Sequence, residues 1–371
     1  MKISFDRITS SGNYIPEIDG LRFISLVSIV FFHLNGFLET KGIDQSGSSS
    51  NSLTLFEHIV SHGRIGVPLF FVISGLTLGL PFAKLHLVGG KSVSLKKYFL
   101  RRLTRLEPPY ILVMTALFLG ALFIYKNMSL KAGLESYLPS VIYSHNFFYP
   151  TMLSKLNGVT WTLEIEVQFY ILAPIIAYIF SIKSARIRRV SMITLTVFFI
   201  AFNRFAINPF ITRSLVDYFE FFIVGFLLAD LYATNSTLLP KTRYDYLFGL
   251  LFFVIIWLFE SIDFNSNADK FIWELIQLSS IFFLYYYIIF HKVFKILSFK
   301  VITNIGGMCY SVYLLHYPIL QTVGNPLVKH SFSNYFYLNV SIYSFILLSI
   351  IMLVSSIFFL LVEKPCMEIK L

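Results

Sequence analysis

From Phe336 to Leu361 the chain runs through 26 residues without one Asp, Glu, Lys or Arg, and that run restricts the fold more than any other feature. As a helix it extends about 39 Å at about 1.5 Å per residue, long enough to cross the hydrocarbon of a bilayer. Composition extends the point to the rest of the chain. Of 371 residues, 56% are hydrophobic and 13% charged, which excludes an ordinary water-soluble domain and leaves an all-α, polytopic membrane protein as the expected class. The 41 Phe and 22 Tyr suit lipid-facing helices and interfacial belts. The formal net charge of +10 then reads as Lys and Arg gathered on cytoplasmic loops, not as a nucleic-acid surface. Cys309 and Cys366 set up neither a disulfide framework nor a metal spacing; both read as structural, with juxtamembrane Cys366 open to acylation.

Apolar runs and breakers place about ten spans, at approximately 22 to 38, 64 to 83, 108 to 125, 161 to 182, 190 to 207, 216 to 233, 245 to 260, 271 to 290, 301 to 323 and 336 to 361. With the N-terminus inside, 21 of the 30 Lys and Arg fall on the cytoplasmic side, so both termini are expected in the cytoplasm. Residues 1–371 are expected to form one transmembrane domain, its first span retained because no small-residue cleavage pattern follows it. Lys41 to Ser52 reads as a flexible outer loop. Lys126 to Thr160 reads as a longer outer loop, whose Tyr143, His145, Asn146, Phe147, Phe148 and Tyr149 suit either a sugar site or a resting place on the interface. No internal repeat supports an inverted-repeat transporter.

Chemistry-bearing side chains stand out against this apolar background. In DGLRFISLVSIVFFHLNG, Arg22 and His33 are eleven residues apart, hence about 20° from one face of a helix and about 16.5 Å apart along it. Ionisable groups inside a span are costly and read by default as a functional site facing the protein interior; a histidine simply bonded to a neighbouring helix is the alternative. SLKKYFLRRLTRLEP, from Ser94 to Pro108, is a basic amphipathic segment with Arg102 and Arg105 on one face. Its lysines suit anionic lipid, and its planar guanidinium forks suit a phosphate-bearing ligand. Pro108 and Pro109 are expected to end that helix and start the next span. The second span is interrupted by Gly63, Gly66, Gly75 and Gly79, for close helix packing or, around Ser74 and Gly75, for close approach to a ligand. WTLEIEVQFY carries Glu164 and Glu166 about 200° apart on a helix, so they form no acid/base dyad, and a histidine or arginine partner from another helix is expected. In GGMCYSVYLLHYPIL, His316 follows Tyr310, Ser311 and Tyr313; alone it reads as a satisfied interior histidine. Histidine and cysteine spacings suggest no metal, no GxSxG elbow suggests a serine triad, and no Walker motif appears.

Taken in order, EIDGLRFISLVSIVFFHL, GVPLFFVISGL, FLRRLTRLEPPYIL, WTLEIEVQFYILAP, YSVYLLHYPI and the closing EKP resemble the integral-membrane acyltransferase family 3, which contains many bacterial O-acetyltransferases of lipopolysaccharide and exopolysaccharide. The resemblance covers Glu17 to Pro365 and rests on the ordered set, since each motif alone is weak. It implies ten helices in the bacterial inner membrane, an acyl-CoA donor (acetyl-CoA in the commonest case) on the cytoplasmic side, and a glycan hydroxyl as acceptor, lipid-linked in some pathways. The family's Arg-x10-His pattern falls on Arg22 and His33, with His33 in the catalytic role. Its Arg-x-x-Arg element falls on Arg102 and Arg105, its acidic position on Glu166, and its late histidine motif on Tyr310, Ser311 and His316. The usual Ser-Gly-Phe is Ser74, Gly75, Leu76 here. The soluble esterase-like domain of some members is not expected.

For such a reaction His33 is the natural base, because imidazole titrates near neutrality. Glu166 is expected to orient and stabilise its imidazolium, and Arg22, Arg102 and Arg105 to hold the CoA phosphates about three helical turns away. Direct transfer and an enzyme-bound intermediate both fit the residues. The rival from another class is a transporter or flippase of an acyl group or glycan lipid, working without covalent chemistry.

Overall fold

A computed structural model describes residues 5, 14–43, 59–206, 213–258 and 264–369. Among the described residues every regular element is helical. In chain order the helices are α1 Pro16–Thr40, α2 Gly66–Val88, α3 Leu95–Leu119, α4 Leu130–Val141, α5 Trp161–Ile176, α6 Ala185–Phe205, α7 Leu215–Ala233, α8 Asp245–Leu258, α9 Asn267–Tyr286, α10 Lys300–Gly307, α11 Cys309–Ile319 and α12 Phe336–Phe358, with single turns of tighter or wider helix extending several of them. Among the described residues six stretches are long and apolar enough to cross a membrane: Pro16–Thr40, Ile59–Val88, Leu95–Ile124, Trp161–Ser181, Asn267–His291 and Phe336–Met367. Asp245–Trp257 is apolar but shorter. The chain is an all-α, multi-pass membrane protein.

The middle of the bundle is the α2–α7 contact, and its closeness follows from two glycines. A Cβ on Gly75 would run into the Phe222 carbonyl, and one on Gly225 into the Val72 carbonyl and the Leu76 amide. With hydrogens there instead, the two backbones meet and buried rings interlock around them: Phe222 stacks on Phe71 at 4.8 Å and on Phe169 of α5 at 4.0 Å. In a membrane, packing of this kind replaces the hydrophobic drive between helices. Gly63 and Gly66 play the same part against the Ser28 and Ser25 carbonyls of α1.

Three features depart from the sequence expectation. The proline pair does not end a helix, since α3 continues through Pro108 and Pro109 to Leu119. A helix inside a packed bundle can pass through prolines, and next to the pair the Leu106 carbonyl of α3 accepts the Tyr310 hydroxyl of α11 at 2.9 Å. The expected ninth span is broken at Met308 (φ −94°, ψ 19°) into α10 and α11. Gly306 lies against the Asp19 carbonyl of α1, and the N-terminal turn of α11 meets a buried carboxylate: Glu363 Oε2 accepts from the Ser311 amide at 3.1 Å and from its hydroxyl at 2.6 Å. A negative charge suits the partial positive charge of that helix end.

The third departure is the stretch 126–160, which is not a plain loop but holds helix α4 against α3. Gly133 abuts Phe118, the Tyr137 hydroxyl sits 2.8 Å from Thr115 Oγ1, and the Tyr110 hydroxyl donates to the Ser140 carbonyl at 2.9 Å. As residue numbers rise along α4 they fall along α3, so the two run antiparallel for about 12 Å. The segment that follows tucks into the bundle: the Asn157 side-chain amide donates to the Leu314 carbonyl at 3.0 Å and the Tyr313 hydroxyl to the Val159 carbonyl at 3.0 Å. The aromatic cluster is thereby divided, with His145 and Asn146 buried and Phe147 and Phe148 exposed. Of the expected loop 41–52, residues 44–52 lie outside the described residues.

Candidate active site

Helix α1 runs unbroken through Arg22 and His33, and α11 brings a second imidazole to the first. His33 Nδ1 lies 3.0 Å from His316 Nε2, with ring centroids 5.1 Å apart. His316 is fully buried, and its Nδ1 faces two carbonyl oxygens, of Tyr313 at 2.7 Å and Val312 at 3.2 Å. Carbonyl oxygens only accept, so His316 Nδ1 carries the hydrogen. In the neutral dyad His316 Nε2 is then an acceptor, and His33 Nδ1 must donate to it. The consequence is a fixed tautomer: His33 keeps its lone pair on Nε2, the form a proton acceptor needs.

The arginines gather elsewhere, around a cavity of about 820 Å³, open mouth included, bounded by α1, α2, α3, α5 and α11. Arg22, Arg102 and Arg105 line it together with Ser74, Glu166, Tyr170 and Tyr310. Arg22 pairs with Asp19 one turn back. Arg102 lies over the Tyr98 and Tyr170 rings, 5.6 Å from each centroid, and Arg105 Nη2 is 3.8 Å from Glu363 Oε1. The Nε atoms of Arg102 and Arg105 are buried without a hydrogen-bond partner. Unsatisfied guanidinium donors beside a cavity fit an anionic oxygen ligand, phosphate above all. Beside them Glu166 Oε1 accepts from Ser74 Oγ at 2.8 Å and from the Tyr170 hydroxyl.

One layer of aromatic side chains lies between these two centres. Phe70 and Tyr313 line the cavity, whereas His33 and His316 do not. The Tyr313 ring is 6.2 Å from that of Phe70 and 5.6 Å from that of His316. Its hydroxyl is held 2.7 Å from Thr162 Oγ1.

The structure therefore gathers Arg22, Arg102, Arg105, Ser74, Glu166 and Tyr310 at one centre and sets His33 with His316 at the other. Glu166 does not take the orienting role expected of it; its bonded partners are Ser74 and Tyr170, and His316 is the group bonded to His33. Nor do the α5 acids find the expected histidine or arginine: Glu164 accepts the Asn146 backbone N–H at 2.8 Å, so a main-chain donor and two hydroxyls do the work. Gly75 serves packing against Phe222, and only its neighbour Ser74 meets the cavity. Glu363, which joins Arg105 to Ser311, went unassigned on sequence. The signal for it was present, as a lone acid closing the charge-free run from Phe336.

Residues 15–361 match a family model described as an acyltransferase domain. The chain is 27% identical over 348 residues to the peptidoglycan O-acetyltransferase OatA of Listeria monocytogenes, an alignment covering 86% of this chain and 51% of that protein. It is 25% identical over 355 residues to the O-acetyltransferase OatA of Staphylococcus aureus, covering 88% of this chain and 54% of that one. The chain thus spans about half the length of these curated relatives. No solved structure matches it. Because the family match takes in both centres and nearly every helix between them, the chain belongs to the acyltransferase family 3.

Proposed function

We propose that this protein is an O-acetyltransferase of the bacterial inner membrane, moving an acetyl group from acetyl-CoA, or another acyl group from its CoA thioester, to a hydroxyl of a cell-envelope glycan. Ten spans with both termini in the cytoplasm would set the basic segment from Ser94 to Arg105 at the inner face. The acceptor glycan, lipid-linked or not, would come from the outer side. Peptidoglycan, named for the Listeria relative, is the first acceptor to test, followed by O-antigen and exopolysaccharide.

The observation that carries this reading is the hydrogen-bond chain from the Val312 and Tyr313 carbonyls through His316 to His33, one aromatic layer from a cavity with unpaired arginine donors. His33 Nε2 takes the proton of the acceptor hydroxyl as its oxygen attacks the acyl carbon. Positive charge arriving on His33 is shared along the chain of donors toward the two helix carbonyls. Arg22, Arg102 and Arg105 hold the phosphates of the donor.

The test compares glycans from cells with and without the protein by mass, and follows label from acetyl-CoA into glycan in membrane vesicles. Base-labile acetyl esters that depend on the protein and vanish in His33→Ala support the reading. Glycan that crosses the membrane unmodified, with no use of acetyl-CoA, would assign the protein to transport instead.

A further inference from the structure

We propose that Ser74 is the first acceptor of the acyl group, so that transfer passes through an ester on this serine in the donor cavity. The inference rests on the acyltransferase reading above and adds a covalent intermediate to it.

Five hydroxyl side chains besides Ser74 line that cavity: those of Thr77, Thr162, Tyr170, Tyr310 and Tyr313. Thr162 and Tyr313 bond each other, Tyr310 donates to the Leu106 carbonyl, and Thr77 leans toward the Ser74 carbonyl. Only Ser74 and Tyr170 donate to a carboxylate among these. Tyr170 is buried and clamped, with Arg102 over its ring and its carbonyl accepting the Tyr98 hydroxyl at 3.1 Å. Ser74 is partly exposed.

Nucleophile, base and orienting group are thus assembled in the form that covalent catalysis requires. Ser74 Oγ lies 2.8 Å from Glu166 Oε1, and the Tyr170 hydroxyl on the same oxygen fixes the carboxylate. Gly75, locked against the Phe222 carbonyl, holds the serine backbone still. A carrier seated on the arginines shares this cavity, whereas the histidines stand behind Phe70 and Tyr313. Ser74 can therefore meet the thioester before His33 can.

In the first step Ser74 Oγ bonds to the thioester carbonyl carbon while its proton passes to Glu166. The C–S bond breaks, and the CoA thiolate takes that proton and leaves as the thiol, returning Glu166 to its carboxylate. In the second step the glycan oxygen attacks the ester carbon, and its proton passes by way of His33 to the departing Ser74 oxygen. Phe70, one helical turn before Ser74 on the same face of α2, must turn aside between the two steps.

The experiment incubates the full chain in membrane vesicles with radiolabelled acetyl-CoA and no glycan, quenches in denaturant, and maps the label by peptide mass. The expected result is label on the peptide containing Ser74, absent in Ser74→Ala, carried as a thioester in Ser74→Cys, and formed at least tenfold more slowly in Glu166→Gln. His33→Ala should keep the label and fail to pass it to glycan. A wild-type protein that acetylates glycan yet never carries label, or a label that survives in Ser74→Ala, overturns the intermediate and leaves the acetyltransferase reading standing. Neither label nor glycan acetate from acetyl-CoA would remove both.

Discussion

Replacing His316 with phenylalanine tests whether the tautomer of His33 governs the reaction. Phenylalanine keeps an aromatic ring beside Tyr313 but removes the acceptor at the position of Nε2, 3.0 Å from His33 Nδ1. His33 then either leaves a donor unpaired in the protein interior or moves its hydrogen to Nε2 and loses its basic lone pair there. An unsatisfied buried donor costs about 1 to 3 kcal/mol, which corresponds to roughly a 5- to 150-fold loss in the competent form. Loss of the base itself, in His33→Ala, removes general-base assistance worth about 10²- to 10⁴-fold. His316→Phe should therefore fall between wild type and His33→Ala.

Initial rates of glycan acetylation in vesicles, measured against acetyl-CoA concentration, separate this from simple misfolding. The arginines lie on the other side of the Phe70–Tyr313 layer, and the donor half of the reaction does not need the dyad, so kcat should drop while kcat/KM for acetyl-CoA holds steady. His316→Gln, whose amide oxygen can again accept from His33 Nδ1, should recover a good part of the loss. If His316→Phe turns over within about twofold of wild type, or His316→Gln is no better than His316→Phe at equal thermal stability, the dyad does not set the base and the hydrogen-bond argument fails.

Arg102→Ala and Arg105→Ala should each raise KM for acetyl-CoA by roughly 10- to 150-fold with little change in kcat, on the scale of one lost charge-assisted hydrogen bond; steady-state kinetics at fixed salt checks this. Glu363→Ala should lower stability by about 1 to 3 kcal/mol, because the Ser311 amide and hydroxyl are left buried without an acceptor. Glu363→Gln should regain much of that, which thermal unfolding in detergent reads. Gly75→Ala forces a methyl against the Phe222 carbonyl and should cost about 1 to 3 kcal/mol of stability. Combining it with Gly225→Ala should add less than the sum, since both act on one contact.

Helix positions were legible in the sequence because a membrane span must satisfy its own backbone and cover its surface with apolar side chains, and both demands are local. Residues 336 to 361 meet them with nothing else in view. The departures arise where other parts of the chain supply what a span lacks. Pro108 and Pro109 read as a boundary because in water two missing N–H groups in succession would break a helix; inside the bundle α3 continues through both to Leu119. Glycine-rich Gly306–Gly307 gave no decisive sign of the break at Met308, because the break depends on how closely α10 approaches α1. Stretch 126–160 reads as an outer loop whose aromatic and polar mix suits a sugar site or the interface, whereas Asn157 and His145 are buried against other elements.

The same division separates the carriers of chemistry from their partners. An arginine or histidine in a span is visible by its cost, which marks Arg22 and His33, whereas Arg102 and Arg105 are marked by sharing one face of a basic amphipathic segment. Which group offsets that cost is a long-range fact: His33 meets a residue 283 positions away and Ser74 meets one 92 away. An imidazolium calls for a carboxylate, and on sequence alone Glu166 is the acid expected beside His33. In the fold, two hydroxyls take the carboxylate and a second imidazole takes the first, so acid and base occupy neighbouring centres divided by Phe70 and Tyr313. On the proposed reaction, the phosphorylated carrier would occupy the arginine centre and the glycan would meet the histidine centre. Tyr313, which lines the cavity and packs 5.6 Å from the His316 ring, is then the side chain past which the proposed acyl transfer would have to run.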